Sequence, residues 1–326
     1  MRIQVSKEQI SCARKTSIGG QALIEGIMMR GPKVSAMAVR NPEGEIVLET
    51  FDTPAPKRPA FFKLPFIRGI FNFIDSMRLG YKCLMRSAEI SGLEEIKEEV
   101  NEKKESKEKK GKKGVSGEFF MNAVMTVSVI LGVLLAVGLF IYLPTQLFSW
   151  LTILFPSLDT NVWRGIFEGV FRLVIFIAYM LLVLLMKDIR RTFMYHGAEH
   201  KTIFCYENGL ELTVENVRKQ KRFHPRCGTS FMILMIIVGI VIGIFIHISN
   251  PFLRTLIKLL LLPVVMGIGY ELIKLAGRKD NLFTRIISKP GVWMQHITTI
   301  EPDDSMIECA IAAMKAVIPD DGSDNW

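Results

Sequence analysis

The sequence predicts a polytopic α-helical membrane protein with about four transmembrane helices and a small α+β cytoplasmic part. Three observations carry that expectation. Hydrophobic residues make up 49 % of the 326, and mean hydropathy is +0.29. Four apolar segments approach the roughly 20 residues a helix needs to cross a bilayer. The basic residues are spread unevenly over the connections between them, as membrane orientation requires.

The spans follow in order. Phe119–Tyr142 holds no charge, and Ile166–Met186 is interrupted only by Glu168 and Arg172. Phe231–Ile248 carries His247 near its end, and Leu256–Ala276, the least apolar, contains Lys258, Pro263, Glu271 and Lys274. Between the first two spans, Leu143–Gly165 has a single basic residue, Arg164, whereas the stretch from Lys187 to Ser230 has nine. The turn Ser249–Thr255 has only Arg254. The N-terminal part, the middle loop and the C-terminal tail are therefore expected in the cytoplasm of a cell-membrane protein. The opening MRIQVSKEQISCARK lacks an apolar core, so no signal peptide is expected. The net charge of +9 suits this topology and attraction to anionic lipid, so nucleic acid need not be invoked as a partner. Five scattered cysteines do not suggest a disulfide framework.

Four regions result: an N-terminal segment over 1–93, a charged linker over 94–118, a membrane domain over 119–276 that includes the loop 187–230, and a tail over 277–326. Thr16–Pro32 is dense in glycine and apolar residues, able to pack backbone closely against a site. Alternation around Asn41-Pro42-Glu43-Gly44 predicts a hairpin with strands near Val34–Val39 and Glu45–Phe51. Phe66, Ile70, Phe73, Ile74 and Met77 recur at helical spacing, for an interfacial or a core helix. Glu94–Lys113 has fifteen charged residues among twenty and cannot bury a core. The middle loop reads as a continuation of the second span through Lys187–Tyr206, and Ser305–Val317 reads as a short helix. Glu168 and Arg172 look like a helix-stabilising pair at i, i+4. Glu25 and Arg30 read as a structural ion pair, with a role supporting the site or contacting substrate as the alternative. His247 and His296 read as an interface and a structural histidine.

The chemistry concentrates in Tyr195-His196-Gly197-Ala198-Glu199-His200-Lys201. On a helix, His196, Glu199 and His200 share one face. Two imidazoles one turn apart can grip a divalent metal, and the carboxylate between them can handle a proton, the H-x-x-E-H arrangement. A hydrogen-bonded polar face is the alternative. A catalytic site needs a further ligand, for which Cys227 or His224 of the HPRC turn rank first, Glu271 second and Glu207 third; a thiolate would favour zinc. With a metal in place, Glu199 is the expected general base.

GGQALIEGIMMRGP, HGAEHKTIFCYE, HPRCGTSF, Tyr270-Glu271, PGVWMQ and EPDD occur in this order, and over nearly the whole chain the sequence resembles the YqhQ-like family of bacterial integral membrane proteins. That family is of unknown function and described as predicted metal-dependent enzymes. The resemblance implies a shared site at Glu25, His196, Glu199, His200, His224, Cys227, Glu271 and Gln295.

The reading that follows is a metal-dependent membrane enzyme, a hydrolase with a lipid-linked, amphipathic or membrane-peptide substrate, at the cytoplasmic membrane face. Set against it are a non-catalytic scaffold or biogenesis factor with a structural metal or polar network and, more weakly, a transporter, whose pathway would require a homo-oligomer.

Overall fold

A computed structural model describes residues 15–53, 59–92, 117–278 and 281–325. The charged run Glu94–Lys113 lies outside them. The chain divides into two compact units, Met1–Glu95 with Leu181–Leu234 and Tyr270–Trp326, and Ile96–Met180 with Met235–Gly269.

The first unit is built on a four-stranded antiparallel meander: β1 (Gly19–Leu23), β2 (Gly26–Arg30), β3 (Val34–Arg40) and β4 (Ile46–Asp52). The expected hairpin is its second half. Gly44, at φ +89°, turns the chain where Asn41 accepts from the Glu45 amide through its side chain at 2.7 Å. The first two strands were not anticipated, and for β2 its burial explains why. Ile27 and Met29 pair with Ala38 and Ala36 and pack on one face, while Met28 pairs with Met37 and packs on the other. A strand covered on both faces shows no apolar–polar alternation to read.

Helix α1 (Ile67–Ile90) covers one face, burying Cys83 against Leu23, Met28, Met37 and Val39. Helices α5 (Lys187–Glu207) and α10 (Asp304–Lys315) cover the other with Tyr195, Ala198, Ile203, Met306, Ala310 and Met314. Asp303 caps α10 by accepting from the Met306 amide at 3.0 Å. The unit also contains α6 (Val214–Arg218) and α9 (Leu282–Thr298), the latter opened by an Asn281/Thr284 capping box. Helix α5 does not continue the second apolar helix: Met186, at φ −77° and ψ 125°, is extended and starts it anew.

In the second unit, α2 (Gly117–Val137) passes through a π-helical turn, Gly138–Tyr142, into α3 (Leu143–Leu154). The segment expected as the beginning of a connection is thus helical, and the first apolar helix runs from Val127 to Leu154 among the residues whose side chains are described. Helix α4 (Asn161–Val183) follows. Helix α7 (Gly228–Ile244) enters the unit from its start in the first, and α8 (Pro251–Arg278) begins here and runs through Pro263.

Among the described residues, three helices are long and apolar enough to cross a membrane: Val127–Leu154, Asn161–Val183 and Pro251–Ala276. The expected third span is a shorter apolar helix of 17 residues. Its end has a physical cause, because Arg254 donates to the carbonyls of Gly243, at 2.9 Å, and Ile246, closing the helix. Glu168 does not pair with Arg172 as expected; it receives Arg254, at 3.0 Å, and Lys258.

Helix α5 is set by one close approach. A Cβ on Gly197 would come 2.1 Å from the Ile300 carbonyl oxygen, and the Ile300 amide donates to the Phe193 carbonyl at 2.9 Å. Gly197→Ala is expected to destabilise the first unit by about 1–3 kcal/mol through overpacking, read as a lowered thermal unfolding midpoint of the purified chain.

Candidate metal centre

Helix α5 presents His196, Glu199 and His200 on one face, and the HPRC turn carries Cys227 to them, one residue before α7 begins. A buried amide holds that turn. Gln295 accepts from the His224 amide at 2.7 Å and donates both to the His224 carbonyl, at 2.7 Å, and to Ser230 Oγ, at 3.1 Å. Gly291, one helical turn earlier on α9, lets Ser230 pack against the helix backbone; a Cβ there would meet Ser230 Cα at 2.6 Å.

The two histidines are oriented alike. His196 Nδ1 lies 2.8 Å from the Thr298 carbonyl oxygen, and His200 Nδ1 lies 2.6 Å from that of Arg222. A carbonyl can only accept, so each Nδ1 carries the proton and each Nε2 faces inward. His196 Nε2 is 3.1 Å from Cys227 Sγ. One ligand atom from each of His196, His200 and Cys227 lies within 4.8 Å of the others. His200 Nε2 and Glu199 Oε2 are buried without a hydrogen-bond partner.

The electrostatics follow from this crowding. Burial alone pulls His196 down, but Cys227, Glu199 and the Thr298 carbonyl outweigh it and push it up to about 9. Burial would raise Cys227, yet the two histidines hold its thiol well below the ordinary range. Glu199 is pushed upward by burial against the opposing pull of both imidazoles. A cation entering here would displace the remaining thiol or imidazole proton and take up the negative charge of the sulfur.

The other candidates stand elsewhere. His224 is ring to ring with His200 at 5.6 Å, but its Nε2 faces Arg226 Nη2 at 3.3 Å and Glu207 at 3.6 Å, while its Nδ1 accepts from the Arg226 amide. Burial lowers His224, and Glu207, despite its own burial, is held down by His224, Arg226 and the Thr16 amide. Glu271 is outside the group: it receives Arg68 at 2.7 and 2.5 Å. Glu25 pairs with Arg191 rather than Arg30 and also accepts from Tyr195, one residue before His196. His296 stacks on Phe223. The groups that sequence reasoning missed are the Thr298 and Arg222 carbonyls, which as backbone acceptors leave no side-chain signature.

The Gly-rich segment forms the remaining wall. Gly20 lies against Glu199, where a Cβ would fall 2.9 Å from its Cγ and Cδ and 2.8 Å from the Met28 carbonyl oxygen. A cavity of about 120 Å³ adjoins the group, lined by Gly19, Gly20, Glu199, His200, Arg226 and Cys227 among others.

Residues 64–320 match the model of a protein family of unknown function, DUF1385. The chain belongs to the DUF1385 family. It is 34 % identical over 304 residues to the uncharacterized protein YqhQ of Bacillus subtilis (strain 168), covering 92 % of each chain. No solved structure matches. The family match spans His196, Glu199, His200 and Cys227, whereas β1 through β4 precede it.

Gly20→Ala is expected to displace Glu199 and lower stability by about 1–3 kcal/mol in thermal unfolding. Gly19→Ala, where the added Cβ meets open space, is the matched control and should be near neutral.

Proposed function

We propose that the chain is a membrane-embedded, metal-dependent enzyme of hydrolytic type, with His196, His200 and Cys227 as ligands and Glu199 as its acid–base group. One observation carries the reading. Two imidazoles, each tethered through Nδ1 to a backbone carbonyl, converge their Nε2 atoms on one cysteine sulfur, and beside them a carboxylate oxygen and one of those nitrogens lack partners. Backbone-anchored imidazoles of this kind are how proteins fix a metal ligand's tautomer and direction.

The donor set of two nitrogens and one thiolate fits zinc. When bound, such a metal supplies Lewis acidity toward a substrate carbonyl or phosphoryl oxygen. The chain's own part is to orient the imidazoles, to hold the raised Glu199 carboxyl ready to exchange a proton with water, and to keep the space narrow. Its outward apolar surface, including Val129, Leu135, Leu182 and Leu260, supports contact with lipid. In this reading the centre opens at the cytoplasmic face and takes a lipid-linked or membrane-peptide substrate. Both termini lie on that side, as the distribution of basic residues suggests.

Mass spectrometry of metal content on the detergent-purified chain tests this. Near-stoichiometric zinc or another transition metal is expected in the wild type, and loss of it in a folded His196→Ala/His200→Ala double variant. Absence of metal from the wild type after divalent ions are supplied would remove the centre. The competing reading, a structural metal in a scaffold, is separated by Glu199→Gln. A catalytic centre predicts retained metal and stability but no complementation of a strain lacking the chain; a structural one predicts full complementation.

A further inference from the structure

The apolar second unit holds a charge imbalance that the proposed centre does not use. Its described side chains include four basic groups, Arg164, Arg172, Arg254 and Lys258, against two acidic ones, Asp159 and Glu168, a net of +2. Arg164 pairs with Asp159 at 2.9 Å. Glu168, 2 % exposed, is shared by the fully buried Arg254 and by Lys258. Arg254 gives its remaining nitrogens to the Gly243 and Ile246 carbonyls, and Lys258 also donates to Thr145 Oγ1 at 3.0 Å.

Among the described residues Arg172 makes no ion pair of its own, and the acidic charge it feels, that of Glu168, is already shared by two other cations. It stands four residues beyond Glu168 on α4, on the same helical face. Its Nε donates to the Phe140 carbonyl, 2.8 Å away. That oxygen lies in the π-helical turn, and the residue four positions on, which would ordinarily donate to it, is Pro144, with no N–H to give. The turn thus aligns the guanidinium by its Nε edge. Among the described residues Nη1 and Nη2 have no hydrogen-bonding protein partner. Nη1 lies over Gly239, where an added Cβ would come to 3.5 Å, so the glycine leaves room beside it.

Arg172 is the twelfth of 23 residues in α4, roughly 17 Å from either end at about 1.5 Å rise per residue. Uncompensated charge among apolar helices is expensive and marks ion or substrate sites. At that depth in a spanning helix the missing counter-charge is a solute rather than a lipid headgroup. A guanidinium with both terminal nitrogens free matches two oxygens on one centre.

We propose that the second unit binds a small oxyanion, a phosphate or a carboxylate, at the free fork of Arg172 beside Gly239. The excess positive charge around Glu168 adds to its attraction. The site is independent of the metal centre.

The test is thermal unfolding of the full purified chain in neutral detergent, at fixed pH and ionic strength, as chloride is replaced by inorganic phosphate or by acetate. Ligand bound to the native state raises the midpoint saturably. A saturable rise with phosphate or acetate but not chloride is expected. In Arg172→Gln the half-saturating concentration should rise roughly tenfold or more, the size expected for losing hydrogen bonds to a charged group. Gly239→Leu, which keeps every charge and fills the space, should do the same and decides alone if Arg172→Gln does not fold. An equal shift in all three salts, no shift in any, or an unchanged response in Gly239→Leu would overturn the proposal.

Discussion

The backbone of residues 298–300 lies against α5 at Gly197, and the centre depends on that contact. The helix can come this close only because position 197 has no side chain: the Ile300 carbonyl oxygen occupies the place of a Cβ. The Ile300 amide then reaches the Phe193 carbonyl, and the Thr298 carbonyl reaches His196 Nδ1. A second glycine, Gly20, brings β1 against the carboxylate of Glu199. The H-x-x-E-H face is therefore held by backbone on two sides. Its imidazoles point where carbonyls send them, a more rigid constraint than side-chain packing alone supplies.

Much of this was legible in the residues. Helical periodicity alone places His196, Glu199 and His200 on one face, since that is a property of the local backbone. Cys227 could only be ranked level with His224, ahead of Glu271, because its approach is decided by Gln295, 68 positions downstream, gripping the HPRC turn from another helix. Strand β2 was illegible for a different reason. Ile27, Met28 and Met29 are all buried, and a strand sandwiched between helices loses the alternation that betrays a half-exposed one. Composition likewise marked Phe231–Ile248 as apolar but could not show that Arg254 would end its helix at Ile244.

The buried polar groups separate into satisfied and unsatisfied sets. Lys201 reaches the Arg218 carbonyl and Glu301, and Glu207 collects Arg226 and the Thr16 amide, so these brace the fold. His200 Nε2 and Glu199 Oε2 do not fit this scheme. A buried polar atom without a partner costs about 1–3 kcal/mol. Other buried atoms without partners, such as Arg40 Nε and Thr255 Oγ1, occur singly on different elements. The two atoms of Glu199 and His200 share one helical face, next to a thiol that the two imidazoles hold well below its ordinary range, and the proposed metal centre rests on that conjunction.

The identity of the donors also bears on whether such a ligand would be reactive. A closed structural zinc site takes four ligands from His and Cys, and a catalytic one takes three and leaves a position open. The nearest further imidazole, His224, is turned away from the group by its contacts with Arg226 and Glu207. Glu271 is bound to Arg68. Among the described residues the triad is thus left at three donors, and a narrow cavity beside it is lined by Glu199, His200 and Cys227. A carboxyl raised by burial, with one oxygen unpaired, is suited to exchanging a proton at an open position and poorly suited to bracing a closed one. On the proposed reading, the same count of donors places Glu199 among the reacting groups rather than among the ligands.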